Sequence, residues 1–306
     1  MLDIIKRKNI YFLISLLVII PGLVSLLIFG LKLSIEFTGG SRMTLVFNEK
    51  VSEKTVKQVR DQFVKEKLVI GPISSSDNTI IVKASPMSEK QDARILSNLK
   101  KEYKGVRQES FENIGPTIGK ETTTKAFYSV ALASILIVLY IAISFRKVPK
   151  PTSSFRFGIC AIIALLHDVL VLMGIFSLLG YFFHVEIDSL FITAVLTAIG
   201  FSVHDTIVVF DRIRENLLKT SGLSFATVVN SSILQTIVRS LNTSFTAILV
   251  LIALLLFGGD SIQWFVVALL IGIISGTYSS IFNAAPLLVL WHEWDQRRKR
   301  SSSKKT

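Results

Sequence analysis

Long apolar runs alternate along this chain with short segments that are rich in charge. Six of the runs approach or exceed about twenty residues, the length with which a helix crosses the roughly 30 Å hydrocarbon core of a bilayer. They lie between Lys8 and Lys32, at 126–145, 157–181, 190–210 and 240–257, and from Ile262 to about Trp291. The pattern predicts six transmembrane helices, with a kink at Pro21–Gly22 in the first helix.

Lysine and arginine are distributed unevenly around these runs. Basic clusters at 6–8, 146–156, 212–219 and 297–300 would all lie on one side of the membrane. The short loops at 182–187 and 258–263, which would lie on the other side, contain no lysine or arginine. Because basic residues in short loops stay on the cytoplasmic side, we expect both termini to be cytoplasmic.

The segment after the first helix has a different pattern, with short elements and many charged residues. It predicts a strand at 43–47, a helix at 53–67, a hairpin of 69–73 and 80–83, a helix at 88–103 and a strand at 106–111. This βαββαβ order is that of the ferredoxin-like motif. Long loops are exempt from the charge rule, so the segment is expected outside the membrane despite its basic residues.

The predicted fold class is therefore a polytopic α-helical membrane protein with one extracytoplasmic α+β ferredoxin-like domain inserted after the first of six transmembrane helices. We divide the chain into four parts. These are an N-terminus with the first helix at 1–33, the external domain at 34–124, a five-helix membrane bundle at 125–292 and a basic cytoplasmic tail at 293–306.

Composition agrees with this architecture and excludes several function classes. Half of the residues are hydrophobic and 18% are charged, whereas soluble domains carry about 25% charge. The net charge of +12 comes from residues beside the apolar runs and forms no aromatic-interleaved patch, so we expect no nucleic acid partner. The chain has no phosphate loop, metal-ligand spacing or nucleophile motif, so we expect no cofactor, no metal and no hydrolytic activity.

Five ionisable residues interrupt the apolar runs: His167, Asp168, His204, Asp205 and Arg239. A charge at the centre of a membrane helix costs about 2.5–3.5 kcal/mol on insertion scales, so each is a candidate functional residue. The alternative is that they reach an interface or form static bonds between helices. Arg239 is predicted to open the fifth helix, where it could lie at the depth of Asp205 in a neighbouring helix.

A polar stripe follows Arg239 along the predicted fifth helix. Asn242, Thr243 and Thr246 lie three, four and seven residues after it, and these spacings place all four on one helix face. Plain packing is one interpretation, since threonine and serine commonly form hydrogen bonds within membrane bundles. The continuity of the stripe with an arginine favours a buried seam that is hydrated or conducts ions.

Five stretches carry a resemblance to a known family. They read LSIEFTGG at 33–40, FENIGPTIG at 111–119, ALLHDV at 164–169, GFSVHDTIVVFDRIREN at 200–216 and RSLNTS at 239–244. In this order they resemble the glycine motifs and membrane-helix motifs of the SecD/SecF family, in the resistance-nodulation-division superfamily. Glu36 replaces the usual aspartate of the first motif, and His204 stands where asparagine is commoner.

The resemblance implies a subunit of the SecDF accessory complex of the Sec translocase in the bacterial cytoplasmic membrane. Such a subunit would use the proton motive force to promote preprotein export through or out of the SecYEG channel. Asp205 would carry the proton and Arg239 would be its partner. The resemblance further implies supporting intramembrane polar residues at His167, Asp168, His204, Asn242, Thr243 and Thr246, and a turn or hinge motif at Gly39, Gly40, Gly115 and Pro116. The implied partners are SecD, SecYEG, the translocating preprotein, YidC and YajC.

Two other functions stay open from the residues themselves. The first is a structural assembly factor, whose intramembrane charges would only lock helices around a partner. The second is a half-size proton-driven exporter of drugs or lipids from the same superfamily. The family motifs favour protein export over this exporter.

Overall fold

The computed structural model describes residues 3–146, 148–149, 151–220 and 222–303. The chain divides into two compact units. One is a small α+β domain at 33–128, and the other is a helical bundle formed by 1–32 and 129–306.

The small domain follows helix α1 (Lys8–Phe29) and contains one four-stranded sheet. Its elements are α2 (Ile35–Thr38), β1 (Gly40–Val46), α3 (Glu53–Lys65), β2 (Ile70–Ser76), β3 (Thr79–Ala84), α4 (Glu89–Glu102) and β4 (Arg107–Ile114). The strands are ordered β2-β3-β1-β4, and every neighbouring pair is antiparallel. The predicted ferredoxin-like βαββαβ domain is confirmed.

Local signals start both long helices of this domain. Ser52 Oγ accepts a hydrogen bond from the backbone N–H of Thr55 at 3.2 Å. Ser88 and Gln91 form a capping box, in which each side chain accepts a backbone N–H of the other residue. The apolar faces of α3 and α4 then join the strands in one buried core that includes Met43, Leu45, Val59, Phe63, Ile80, Val82, Ile95 and Leu99.

The bundle contains the remaining long helices. They are α5 (Pro116–Ser144), whose residues 116–128 belong to the small domain, α6 (Ser154–Phe183), α7 (Ser189–Lys219), α8 (Phe225–Phe257), α9 (Asp260–Ser279) and α10 (Ala285–Ser303). A π-helical turn at Ser280–Ala284 joins the last two. Within the described residues, six helices are long and apolar enough to cross a membrane, and α9, the turn and α10 make up the sixth. The six predicted spans are confirmed.

Three spans form the centre of the bundle, namely α6, α7 and the sixth span. Helix α1 packs on α6, and α8 packs on α7 and α9. Helix α5 is mostly exposed, but Phe145, just after its C-terminal end, is buried against Phe157 and Phe210. Much of the surface of α5 and α8 is therefore left uncovered by the residues that the structure describes.

Helix α8 differs from the prediction. Helix α8 begins at Phe225, after the cap residue Ser224, so Arg239 lies well inside it and does not open it. Polar residues before Arg239 interrupt the apolar run, but the helix continues through them because their side chains form hydrogen bonds. Ser232 Oγ, for example, donates to the Val228 carbonyl at 2.8 Å. Helix α1 is continuous through Pro21, and the kink there stays a prediction.

Candidate functional site

Asp168 lies inside α6, and three serine hydroxyls from two other helices enclose its carboxylate. Ser202 Oγ of α7 donates to Oδ2 at 2.5 Å, and Ser279 Oγ of α9 donates to the same oxygen at 2.6 Å. Ser275 Oγ of α9 donates to Oδ1 at 2.7 Å, and His167 Nδ1 lies 2.9 Å from that oxygen. The residue is 5% exposed, so these four contacts replace the hydrogen bonds that the carboxylate would make to water.

The imidazole of His167 extends this cluster to α1 and to the π-helical turn. Its Nε2 lies 3.1 Å from Ser15 Oγ. Asn283 contacts the same hydroxyl, with its Nδ2 at 2.8 Å and its Oδ1 at 3.1 Å. The ring of Tyr278 stacks beside the imidazole at 6.3 Å between centroids. π-Helical turns within α-helices often occur at functional sites, and this one positions Asn283.

Asp205 is the second buried acid, and it lies on α7 against α8 and α9. The hydroxyls of Ser240, Ser244 and Thr277 are beside its carboxyl, and Ser244 Oγ lies 2.5 Å from Thr277 Oγ1. The Thr277 side chain lies on the face of α9 opposite to Ser275 and Ser279, which bind Asp168. Helix α9 therefore lies between the two carboxyl groups and supplies hydroxyls to both.

Arg239 makes no ion pair with Asp205, although the structure describes both side chains, and its own side chain is exposed on α8. The other stripe residues Asn242, Thr243 and Thr246 are exposed too, as is His204 of α7. The buried side of α8 instead carries Ser232, Thr236, Ser240 and Ser244. Within this chain the polar stripe therefore forms an outer surface and not the predicted buried seam.

The residues of the glycine motif meet where β1 and α5 begin. Gly39 and Gly40 have φ angles of 73° and 129°, which disfavour any residue with a side chain. A Cβ on Gly39 would lie 3.0 Å from Pro116 Cα, and one on Gly119 would lie 2.7 Å from Gly39 N. A Cβ on Gly115 would meet open space. The geometry thus requires glycine at 39, 40 and 119 but not at 115.

Sequence reasoning finds both acids but misses the hydroxyls that bind them. In the sixth span, Gly272, Ser275, Gly276, Ser279 and Asn283 recur at intervals of one, three or four residues and occupy one helix face. Such a stripe of small and polar residues permits close packing in a membrane bundle. This periodicity is the signal in the sequence that points to Ser275, Ser279 and Asn283.

Two family models match the chain. One, described as "Protein export membrane protein SecD/SecF, C-terminal", matches residues 94–294, which contain Asp168, Asp205 and Arg239. The other, described as "SecD/SecF GG Motif", matches residues 24–51, which contain Gly39 and Gly40. The matches therefore include both buried carboxyl groups and the glycines of the turn before β1.

Individual relatives agree with the family models. The protein translocase subunit SecF of Thermobaculum terrenum is 48% identical over 96% of this chain and 95% of its own length. The protein translocase subunit SecDF of Bacillus subtilis is 33% identical over 94% of this chain but over only 38% of its own length. A crystal structure of SecDF, a translocon-associated membrane protein from Thermus thermophilus, matches with a TM-score of 0.80 at 33% identity. That match covers 95% of this chain and 39% of the SecDF chain, so this chain spans well under half of the SecDF proteins.

Proposed function

This chain belongs to the SecD/SecF family of protein export membrane proteins, and we propose that it is a transport subunit that uses the proton motive force to promote preprotein export. In this proposal it assembles with SecD in the inner membrane and acts on preproteins that pass through or leave the SecYEG channel. YidC and YajC are further proposed partners. Both termini are cytoplasmic, and residues 34–124 lie outside the membrane.

The burial of Asp205 among hydroxyl groups carries this proposal. Its carboxyl is 6% exposed and has no ion pair with the side chains that the structure describes. A carboxyl without a bound cation takes up a proton more readily than one held in a salt bridge. A proton that crosses the membrane field gains about 2.3 kcal/mol per 100 mV, which is enough to bias a conformational equilibrium of a few kcal/mol.

The exposed stripe on α8 supports SecD as the partner. Arg239 and the polar residues that follow it are costly on a surface that faces lipid, so a second protein is expected to cover them. Transporter halves commonly pair with their coupling site at the interface between them. The SecDF relatives are more than twice as long as this chain, so they have room for a second half that is larger than this one. Covered by SecD, the Arg239 guanidinium would approach Asp205 when the helices move.

Export driven by an imposed proton gradient in reconstituted vesicles tests this function. Asp205→Asn should abolish the part of export that depends on the gradient, while the complex with SecD still co-purifies. Asp211→Asn is the matched control, because Asp211 lies on the same helix but is exposed and pairs with Arg214. Loss of the complex together with export would support the structural assembly factor instead. Full gradient-dependent export by Asp205→Asn would refute the proposal.

A further inference from the structure

The hydrogen-bond donors around Asp168 decide where this cluster can hold an additional proton. Each carboxylate oxygen accepts two contacts, Oδ1 from Ser275 and His167 and Oδ2 from Ser202 and Ser279. Because a carboxylate has about four acceptor positions, all of them are occupied. A proton placed on Asp168 would require one of these donors to turn away, as the Ser279 hydroxyl can, because it also lies 3.2 Å from the Gly276 carbonyl. His167 is the group in the cluster whose protonation leaves all four contacts in place.

The two nitrogens of His167 have different roles. Nδ1 faces the Asp168 carboxylate, and an ionised carboxylate only accepts, so Nδ1 carries a hydrogen while Asp168 is ionised. Nε2 faces Ser15 Oγ, and a hydroxyl can either donate or accept. The protonation state of the ring therefore depends on Nε2 alone.

Because Asn283 also contacts the Ser15 hydroxyl, this hydroxyl can form a hydrogen bond with the neutral and with the protonated ring of His167. With a neutral ring, Ser15 donates to Nε2 and accepts from Asn283 Nδ2. With a protonated ring, Nε2 donates to Ser15 Oγ, and the hydroxyl turns to donate to Asn283 Oδ1. Rotation of one hydroxyl thus gives Nε2 a partner in both states. A purely structural histidine needs partners for one state only.

We propose that His167, Asp168, Ser15 and Asn283 form a second proton-binding site in the bundle, distinct from Asp205. Protonation moves one proton from hydronium to the Nε2 lone pair, leaves water behind and changes the charge of the histidine–aspartate pair from −1 to 0. The titratable groups facing the ring are Asp168 on α6 and Tyr278 on α9. Its other contacts are the uncharged Ser15 on α1 and, through Ser15, Asn283 in the π-helical turn. A buried charge is costly without an opposite charge, and the Asp168 carboxylate is the negative charge that faces the ring.

A groove brings the surface of the bundle close to Nε2. It has a volume of about 330 Å³, lies between α1, α6 and α9, and is lined in part by Ser15, His167 and Ser275. Its rim includes Ile14 and Ile274, which are 45% and 54% exposed. The His167 side chain therefore lies beside a groove that is lined mostly by apolar residues, whereas the Asp168 carboxyl is enclosed by its four contacts. This second site adds to the proposed function, and the use of its bound proton in transport rests on that function.

Nuclear magnetic resonance of the full chain, labelled with ¹⁵N-histidine and reconstituted with SecD in nanodiscs, tests the site. The chain has four histidines, and His167→Gln identifies the His167 ring by loss of its signals. If that variant fails to fold, substitutions of His184, His204 and His292 identify the ring by elimination. Between about pH 9 and pH 5, the His167 ring should change from one N–H group to two. A ring with the same number of N–H groups throughout this range overturns the proposal.

Asp168→Asn checks the role assigned to the carboxylate. Without the negative charge, the ring with two N–H groups should be less populated at a given pH than in the parent protein. Titration of the ring at an unchanged pH in a folded Asp168→Asn protein would contradict this pairing. Gradient-driven export keeps the two proposals apart: a titrating His167 in a protein whose export ignores the gradient refutes only the proposed function. A ring that does not titrate, in a protein whose export needs Asp205, refutes only the second site.

Discussion

Gly22 of α1 and Gly174 of α6 lie so close together that a Cβ on Gly174 would be 2.6 Å from Gly22 Cα. Along the same crossing, Ser25 Oγ and Ser177 Oγ form a hydrogen bond of 2.8 Å. Small residues and hydrogen bonds between helices drive association inside a bilayer, where the surrounding lipid is as apolar as the side chains. This crossing holds α1 against α6, and with it Ser15 beside His167.

Gly174→Ala should therefore destabilise the bundle. The added methyl group meets backbone atoms that cannot rotate away, and overpacking of this kind costs about 1–3 kcal/mol. Thermal unfolding of the protein in mild detergent measures the loss. Gly158→Ala is the matched control on the same helix, because its Cβ would meet nothing within 4 Å. Equal stability of the two variants would show that the crossing tolerates a side chain.

Removal of one hydroxyl from Asp168 should also be costly. Ser275→Ala deletes the donor to Oδ1 and leaves a buried carboxylate oxygen short of one partner. Hydrogen bonds to charged groups contribute about 1.5–3 kcal/mol, so the free energy of unfolding should fall by that amount. Ser261→Ala, at an exposed position of the same helix, should change stability little. A Ser275→Ala protein as stable as this control would mean that Asp168 does not depend on that donor.

Gly39→Ala should destabilise the small domain, whereas Gly115→Ala should not. Alanine at 39 would adopt a left-handed φ of 73° and contact the Pro116 backbone, and such strain costs about 1–3 kcal/mol. Limited proteolysis of the full chain would detect it as faster cleavage between residues 33 and 128. The same cleavage rate in both variants would contradict the role assigned to this glycine.

Arg239 and Asp205 should act as a coupled pair in gradient-dependent export. Arg239→Lys should reduce export, because lysine lacks the planar array of donors that arginine offers to a carboxylate. Arg239→Met should reduce it further, since Asp205 would then tend to retain its proton. If the pair is coupled, the double variant with Asp205→Asn is no worse than the more damaging single change. Independent multiplication of the defects, at matched membrane levels, would make Arg239 an anchoring charge only.

A cysteine on the outer stripe should identify the chain that covers it. The native Cys160 is fully buried and should give little background, so Thr246→Cys places a single accessible thiol on α8. We expect a thiol cross-linker to join it to SecD in intact membranes, while the parent chain gives no such product. Products that contain only copies of this chain would exclude SecD from the surface.

The small domain and the six spans follow from local patterns. Helix caps at Ser52 and Ser88 and the alternation of apolar residues along β3 are visible in adjacent residues, so the sequence predicts the order of the elements. Hydropathy is less informative about helix ends. Helix α8 extends back to Phe225 through polar residues that find partners only after folding, and one such bond joins Asn216 to Ser232. The hydropathy pattern does not show such partners, so it predicts the start of this helix too late.

The sequence by itself determined that Asp168 and Asp205 matter, because a carboxyl group inside an apolar run is costly in any arrangement of the helices. Only the tertiary structure decided what surrounds each acid. Two of the serines that bind Asp168 are 107 and 111 residues away along the chain, and they reach it only when α6 and α9 pack together. The tertiary structure also decided which side of α8 is buried. The helical period defines two polar faces on this helix, one with Arg239 and one with Ser240 and Ser244. Packing against α7 and α9 turned the serine face inward, because its small side chains allow the helices to approach closely.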